Sequence, residues 1–328
     1  MTKRIIYALY IFNDIKSFDE IPVYKLHFEC LKYFANIFNK AQFIISVDDF
    51  NNPLIDLATT FFQKTFAHCE ELHINVEKNV PETREAEWYQ KYLVNRLEQL
   101  DGYTWFGHSK GVQNMHLDNK CPWFWVSSMY YFSLTQDPEL SMGDQYYAYG
   151  FPFICNQGYF SGGIKSYLEE QFYDVNENFR SNIEQYKYYE HLYILLQNPI
   201  FNRQEQLWQF IGSMYWMNTE KIAKYVKEKN IYTDYSYELP GLWYDFRFIG
   251  EAFLPDLFTW NEVNFPYRDR VFAVNKYQDI NGIFDDNFNN ESYYQESYIV
   301  KYINDYFPQE AVDDFYAFHK NMMNNVII

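Results

Sequence analysis

Four short apolar runs, each followed by polar residues, alternate with segments of helical periodicity over the first 120 residues. The runs at 5–12, 42–47, 72–76 and 103–106 predict strands, of which the continuous apolar run 5–12 fits a central strand of a parallel sheet buried on both faces and 72–76 is the weaker one. The resulting order β-α-β-α-β-α-β predicts an α/β fold with a mainly parallel sheet flanked by helices.

Polar side chains follow three of these predicted strands. They are Asn13 and Asp14, then Asp48 and Asp49, then His108, Ser109 and Lys110. Ligands of open α/β sheets bind outside the carboxyl ends of the strands, so these residues predict a ligand site at one sheet edge. Gly107 and Gly111 bracket the last group in a predicted turn and would let the backbone approach a ligand closely. An ordinary solvated turn is the alternative interpretation.

The second half of the chain is less regular but contains recognisable elements. Residues 123–134 form an aromatic segment that predicts a core helix, and residues 147–164 predict two strands joined by a turn. A strand is predicted at 207–217, with Asn218 capping a helix that runs to about residue 229. Residues 242–258 predict a helix with an apolar stripe. No boundary in the sequence forces two separate domains.

Composition and charge narrow the function classes. Aromatic residues make up 22% of the chain, with 33 Tyr and 31 Phe, which fits either sugar stacking or a base-composition bias. The formal net charge of −17 argues against a nucleic-acid partner, because such binding is driven by Lys and Arg on phosphates. Lys110 and His108 lie in a locally basic stretch, which suits a small anion such as a nucleotide diphosphate.

Cysteine usage and hydropathy bear on location. The four cysteines have no pairing or metal-binding spacing and predict reduced core residues in a cytoplasmic protein. No stretch approaches the roughly 18 uninterrupted apolar residues of a membrane helix, so no transmembrane segment is expected. A peripheral position at the inner face of the membrane, where a lipid-linked substrate could be reached, is compatible with this prediction.

Three motifs resemble those of a known enzyme family. They are Trp105-Phe-Gly-His-Ser-Lys-Gly111, Gly212-Ser-Met-Tyr-Trp-Met-Asn218 and Arg247-Phe-Ile-Gly-Glu251. Polysaccharide glycosyltransferases related to the rhamnan-synthesis group show a similar His-(Thr/Ser)-Lys-Gly turn, a Gly-x-x-(Trp/Tyr)-Trp strand and a helix with an Arg and a Glu. The chain therefore resembles GT-A type nucleotide-sugar glycosyltransferases over about residues 1–260.

This resemblance implies an architecture and a set of partners. Residues 1–260 would form a GT-A-like domain, with a nucleotide-binding half at 1–120 and an acceptor and sugar half at 121–260. Residues 261–328 would be a helical extension packed on the same domain. The expected partners are a nucleotide diphosphate sugar as donor and a glycan or lipid-linked glycan as acceptor, for synthesis of a surface polysaccharide or glycoconjugate.

The resemblance departs from the family at the diphosphate site. Most GT-A enzymes end the fourth strand in an Asp-x-Asp motif that holds a divalent metal, whereas this chain has His108-Ser-Lys110 there. Either Lys110 and His108 neutralise the diphosphate directly, or Mn or Mg is held by acids elsewhere, such as Asp48 or Asp49. The sequence itself demands no cofactor. Asn13, Asp14, Asp48, Asp49, Ser109, Lys110 and Gly111 are the expected nucleotide-sugar contacts.

The remaining predicted roles concern acceptor and sugar. By resemblance Glu251 is expected to be the base for the acceptor hydroxyl, with Asp245 as second choice. Arg247 stands four residues before Glu251, and an ordinary surface ion pair is the alternative for these two. Gly212, Ser213, Tyr215, Trp216 and Arg247 are the expected sugar and acceptor contacts. Tyr215 and Trp216 would form a sugar platform, or else lie buried in the core. A non-catalytic carbohydrate- or nucleotide-binding protein of the same fold is the alternative function.

Overall fold

The computed structural model describes residues 1–79, 85–109, 112, 123–155, 207–229, 257–258, 260–267, 300 and 303–327. The strands are β1 Lys3–Ile11, β2 Lys40–Val47, β3 Glu71–Lys78, β4 Tyr103–His108, β5 Ala148–Cys155, β6 Leu207–Asn218 and β7 Val263–Asn264. The α-helices are α1 Val23–Phe34, α2 Leu54–Thr65, α3 Glu85–Tyr92, α4 Trp123–Leu134, α5 Pro138–Met142, α6 Thr219–Glu228 and α7 Gln309–Ile327. Short 3-10 helices cover Phe18–Glu20, Ala35–Ile37, Val94–Gln99 and Trp260–Glu262.

The described strands form one seven-stranded sheet in the order β3-β2-β1-β4-β6-β5-β7. β1 pairs in parallel with β2 and β4, and β2 pairs in parallel with β3. β6 runs antiparallel between β4 and β5, and β7 pairs in parallel with β5. The predicted α/β fold with a mainly parallel sheet flanked by helices is therefore confirmed.

Two apolar clusters, one on each face of the sheet, form the core. Odd positions of β1 such as Tyr7 and Leu9 pack with α1, α2, α4 and α7, and even positions such as Ile6 pack with α3, the 3-10 helix at Val94–Gln99, and α6. Side chains on a strand alternate between faces, so this division follows directly from the strand register. Because both faces are covered at the centre of the sheet, β1 is a continuous apolar run, whereas the edge strand β3 alternates and is partly exposed along its length.

The individual elements follow the sequence pattern closely. The core helix predicted at 123–134 is α4, and Trp125, Val126, Met129 and Tyr130 on it are buried. The predicted cap is present, because Asn218 Oδ1 accepts a hydrogen bond from Lys221 N at 3.0 Å. The helix predicted before β4 is split, since α3 ends at Tyr92 and a 3-10 helix follows. Apolar side chains spaced for one helical face are nevertheless buried along this segment, at Tyr89, Leu93, Leu97 and Leu100.

The C-terminal helix α7 packs against α1 and α4, on the face of the sheet opposite α3 and α6. Phe318 contacts Tyr33 and Phe34 of α1, with ring centroids 5.2 and 5.5 Å apart. His319 of α7 lies against Phe124 of α4, with ring centroids 4.0 Å apart. None of the helices in the described ranges is both long enough and apolar enough to cross a membrane.

Candidate functional site

The candidate site lies where the strand order of the sheet reverses. β2 and β3 lie on one side of β1, whereas the chain continues on the other side of it with β4 and β6. In open α/β sheets this reversal is a topological switch point, and ligands bind in the crevice outside the carboxyl ends of the two strands. We call the carboxyl ends of β1, β2 and β4 around Tyr10, Asp48, His108 and Ser109 the switch-point edge.

The structure corrects the predicted start of the turn after the fourth strand. β4 continues through Gly107 and His108, which pair with Tyr7 and Ala8 of β1, so these two residues belong to the strand. A Cβ atom at Gly107 would lie 2.4 Å from ring atoms of Trp105. The absence of a side chain at Gly107 therefore makes room for the Trp105 indole. His108 is 6% exposed, so only its edge reaches the surface of the crevice.

Ser109 replaces a main-chain acceptor at the end of the β1–β4 ladder. Ser109 N donates to Ala8 O at 2.9 Å, which is the last regular ladder bond. The next donor of the ladder, Tyr10 N, donates to Ser109 Oγ at 3.0 Å. Because the Ser109 hydroxyl takes the place of a backbone carbonyl, β4 can leave the sheet here while the N–H of Tyr10 keeps a hydrogen-bond acceptor.

Asp48 occupies the end of β2 and is held from two sides. Tyr10 Oη donates to Asp48 Oδ2 at 3.0 Å, and Asn79 Nδ2 donates to Asp48 Oδ1 at 2.8 Å. Asn79 N in turn donates to Val47 O at 2.7 Å, which fixes the residue after β3 beside the end of β2. Asp48 is exposed on its remaining side, so its carboxylate is an oriented acceptor with free lone pairs facing solvent.

The other predicted residues of this edge have different positions. Asn13 and Asp14 are exposed beyond the end of β1. Asp49 stabilises its own turn, since its Oδ1 accepts from Asn51 N at 2.9 Å and from Asn51 Nδ2 at 3.0 Å. Asp49 thus forms an Asx turn, a structural role that the sequence alone does not distinguish from ligand binding. Asn52 then ties the loop to β1, because its Nδ2 donates to Phe12 O at 3.1 Å.

The predicted sugar platform of Tyr215 and Trp216 is wrong for both rings. Trp216 is 0% exposed, stacks on Phe38 with ring centroids 5.4 Å apart, and donates from Nε1 to Ser133 O at 2.8 Å. Tyr215 is 3% exposed and its hydroxyl donates to Tyr89 Oη at 2.8 Å. Both residues lie in the middle of a sheet covered on both faces, so the alternative of core packing holds.

Several predicted site residues lie outside the described residues. They are Lys110, Gly111, Asp245, Arg247 and Glu251. Gly212 and Ser213 lie within β6, the antiparallel strand that neighbours β4. Their predicted roles stay predictions.

The described residues do not fit a divalent metal. Among them, no group of three or more His, Cys, Asp or Glu side chains could hold a metal ion. Asp48 is the carboxylate best placed at the switch point, and hydrogen-bond donors from Tyr10 and Asn79 engage both of its oxygens. The described residues therefore provide no set of ligands for a metal ion.

The sequence does not single out three residues at or beside the switch-point edge. Tyr10 lies within the apolar run of β1, Tyr24 lies on α1, and Asn79 follows β3. Tyr24 Oη donates to Tyr10 O at 2.6 Å. Burial raises the pKa of Tyr24 well above its usual value, so this hydroxyl stays protonated and remains a donor.

Compared with known proteins, the chain matches no family model, no curated protein and no solved structure.

Proposed function

We propose that the chain is a GT-A type glycosyltransferase that moves a hexosyl unit from a nucleotide diphosphate sugar to a glycan acceptor. The observation that carries this proposal is the reversal of strand order between β1 and β4, with the oriented carboxylate of Asp48 on one side and His108-Ser109 on the other. A nucleotide diphosphate fits this arrangement because it has hydrogen-bond donors at one end and negative charge at the other.

The nucleoside end of the donor is assigned to Asp48. A carboxylate has about four acceptor positions, of which Tyr10 and Asn79 use two. The remaining positions suit ribose hydroxyls or a base N–H. The acidic side of the crevice would repel a diphosphate, so the phosphates are assigned to the other side, where Lys110 follows Ser109 in the sequence.

The chemical step in this proposal is a displacement at the anomeric carbon. The bond from that carbon to the diphosphate oxygen breaks, and a bond to the acceptor hydroxyl oxygen forms. Lys110 and His108 stabilise the negative charge that develops on the leaving diphosphate. Glu251 takes the proton of the acceptor hydroxyl, with Asp245 as the second choice, on the strength of the resemblance described above.

The proposal also includes an acceptor and a place. A surface glycan precursor, free or lipid-linked, is the acceptor class that the family resemblance favours. The enzyme would act in the cytoplasm and meet a lipid-linked acceptor as a peripheral protein at the inner face of the membrane.

A thermal-shift screen tests donor binding directly. The purified chain is heated with UDP-, GDP-, dTDP- or CMP-linked sugars, each with and without Mn or Mg. Binding stabilises the folded state by mass action, so a donor at a hundred times its Kd adds about 2.7 kcal/mol. We expect one nucleotide class to raise the Tm without metal. If no donor raises the Tm under any condition, the proposal fails.

Substitution of Lys110 tests the charge that replaces a metal. Lys110→Ala should lower turnover of the donor found in the screen by roughly a hundredfold or more, because a positive charge at the leaving group is lost. Lys64→Ala, at an exposed position of α2, is the matched control and should leave turnover unchanged. Equal turnover in Lys110→Ala and wild type would rule out this role.

The alternative of a non-catalytic binding protein makes a different prediction. Slow hydrolysis of the donor that disappears in Glu251→Gln would exclude this alternative. Donor binding with no transfer and no hydrolysis would establish it and would overturn the catalytic roles of Glu251 and Lys110.

A further inference from the structure

We propose that Tyr10 is a positioning residue that couples the two ends of the donor site, Asp48 at the end of β2 and Ser109 at the end of β4. This inference rests on the proposed function, because it concerns how that site is held in shape. Tyr10 is suited to the role since its backbone N–H, its backbone carbonyl and its phenol each contact a different element.

The backbone of Tyr10 is held from both sides. Its N–H donates to Ser109 Oγ at 3.0 Å, on the β4 side. Its carbonyl accepts from the Tyr24 hydroxyl at 2.6 Å, and Tyr24 is completely buried on α1. A buried, hydrogen-bonded tyrosine in a close-packed core moves little, so the peptide of Tyr10 has a fixed point in α1 and a second contact at Ser109, directly after β4.

The side chain of Tyr10 transmits that position to β2. Its hydroxyl donates to Asp48 Oδ2 at 3.0 Å, and its ring packs edge-on against Phe12 with centroids 4.6 Å apart. Asn79 holds the other carboxylate oxygen at 2.8 Å. The orientation of Asp48 therefore depends on the hydroxyl of Tyr10, a residue whose backbone N–H is hydrogen-bonded to Ser109.

A change at Ser109 should consequently reach Asp48, although no hydrogen bond joins the two side chains directly among the described contacts. Removing the Ser109 hydroxyl leaves Tyr10 N without that acceptor, and the end of β1 then shifts to find another or gains access to water. Removing the Tyr10 hydroxyl breaks the hydrogen bond to Asp48 but keeps the hydrogen bond between Tyr10 N and Ser109. The coupling is thus expected in wild type and absent in Tyr10→Phe.

Hydrogen exchange tests this coupling in the ligand-free protein. Ser109→Ala should raise deuterium uptake in peptides covering residues 8–12 and also in peptides covering 48–52. In a Tyr10→Phe background, Ser109→Ala should raise uptake at 8–12 alone. A purely local role for Ser109 would leave 48–52 unchanged in both backgrounds and would overturn the inference.

Nucleoside binding provides a second test of the coupling between Ser109 and Asp48. Uridine, guanosine, thymidine and cytidine lack phosphates, so a nucleoside bound through Asp48 does not report on the diphosphate end. For the nucleoside that binds, Ser109→Ala should weaken affinity by about tenfold in wild type and leave it within about twofold in Tyr10→Phe. Equal weakening in both backgrounds would contradict the coupling.

Two controls complete the experiment. Ser109→Thr keeps the hydroxyl and should restore both uptake and affinity, which separates a lost hydrogen bond from a folding defect. Tyr33→Phe removes the hydroxyl of a residue that is 56% exposed on α1 and packs against α7, and this variant should match wild type in deuterium uptake at 8–12 and 48–52 and in nucleoside affinity. A wild type that binds none of the four nucleosides contradicts the nucleoside assignment of the proposed function, and the exchange measurement then decides the coupling alone.

Discussion

His319 should make the stability of the chain fall as the solution becomes acidic. Its Nδ1 lies 2.7 Å from Ser127 Oγ, and its ring contacts Phe124 and Phe315 with centroids 4.0 and 6.1 Å away. These described neighbours carry no charge. Burial therefore lowers the pKa of His319 to about 4, because a protonated imidazole would lose hydration without gaining a counter-charge.

The sign and size of the effect follow from linkage. The unfolded chain takes up a proton at His319 near pH 6.5, whereas the folded chain resists until about pH 4, so stability is lost as the pH falls through this window. At 1.36 kcal/mol per pKa unit a fully buried group with this shift would contribute roughly 3 kcal/mol. The ring is only partly buried, and solvent screening reduces the expected loss to roughly 1–2 kcal/mol.

Urea unfolding of wild type and His319→Asn at several pH values between 4 and 7 measures how much stability is lost through protonation of His319. Asn keeps a polar group for Ser127 but does not titrate, so the free energy of unfolding should depend less on pH in the variant. Other groups titrate equally in both proteins and cancel in the difference. His73→Asn, at an exposed position of β3, is the matched control. A difference between wild type and His319→Asn that stays constant from pH 4 to 7 would refute the reasoning.

Two further predictions concern the fold around the site. Gly107→Ala should destabilise the chain by about 1–3 kcal/mol in urea unfolding, because the new methyl group would lie 2.4 Å from ring atoms of Trp105, and the cost should shrink in a Trp105→Phe background; an equal cost in both backgrounds would place the strain elsewhere. Asn218→Ala should cost about 1 kcal/mol, since Lys221 N loses the side-chain acceptor that caps α6, while Asn218→Ser should retain most of that stability; a Tm unchanged in the Ala variant would contradict the cap.

Local pattern is enough to locate most strands and helices of this chain. β1 contains a continuous apolar run from Ile5 to Ile11, β2 is mostly apolar, and α4 coincides with the aromatic segment that predicts it. Such elements are identified by their own residues. The position of β6 between β4 and β5 is different, because it depends on pairings between residues far apart in the sequence, which no local pattern contains.

The candidate site shows the same division. Asp48 and Ser109 are recognisable because polar residues after a buried strand stand out in the sequence. Tyr10 does not stand out, since an aromatic residue in an apolar run looks like core until its hydroxyl is seen beside Asp48. Tyr215 and Trp216 show the opposite error. A glycine-aromatic motif suggests an open platform, and only the covered sheet reveals that both rings are interior.

The packing of α7 against α1 has a consequence for synthesis of the chain. Asn325 of α7 donates to Glu29 of α1 across 296 residues, and Phe318 covers Phe34 of the same helix. At about 5–20 residues per second, a ribosome takes roughly 15–60 s to make the chain between these partners. During that time Tyr33 and Phe34 of α1 lack their contacts with Phe318, so this part of the core is completed only after α7 has been synthesised.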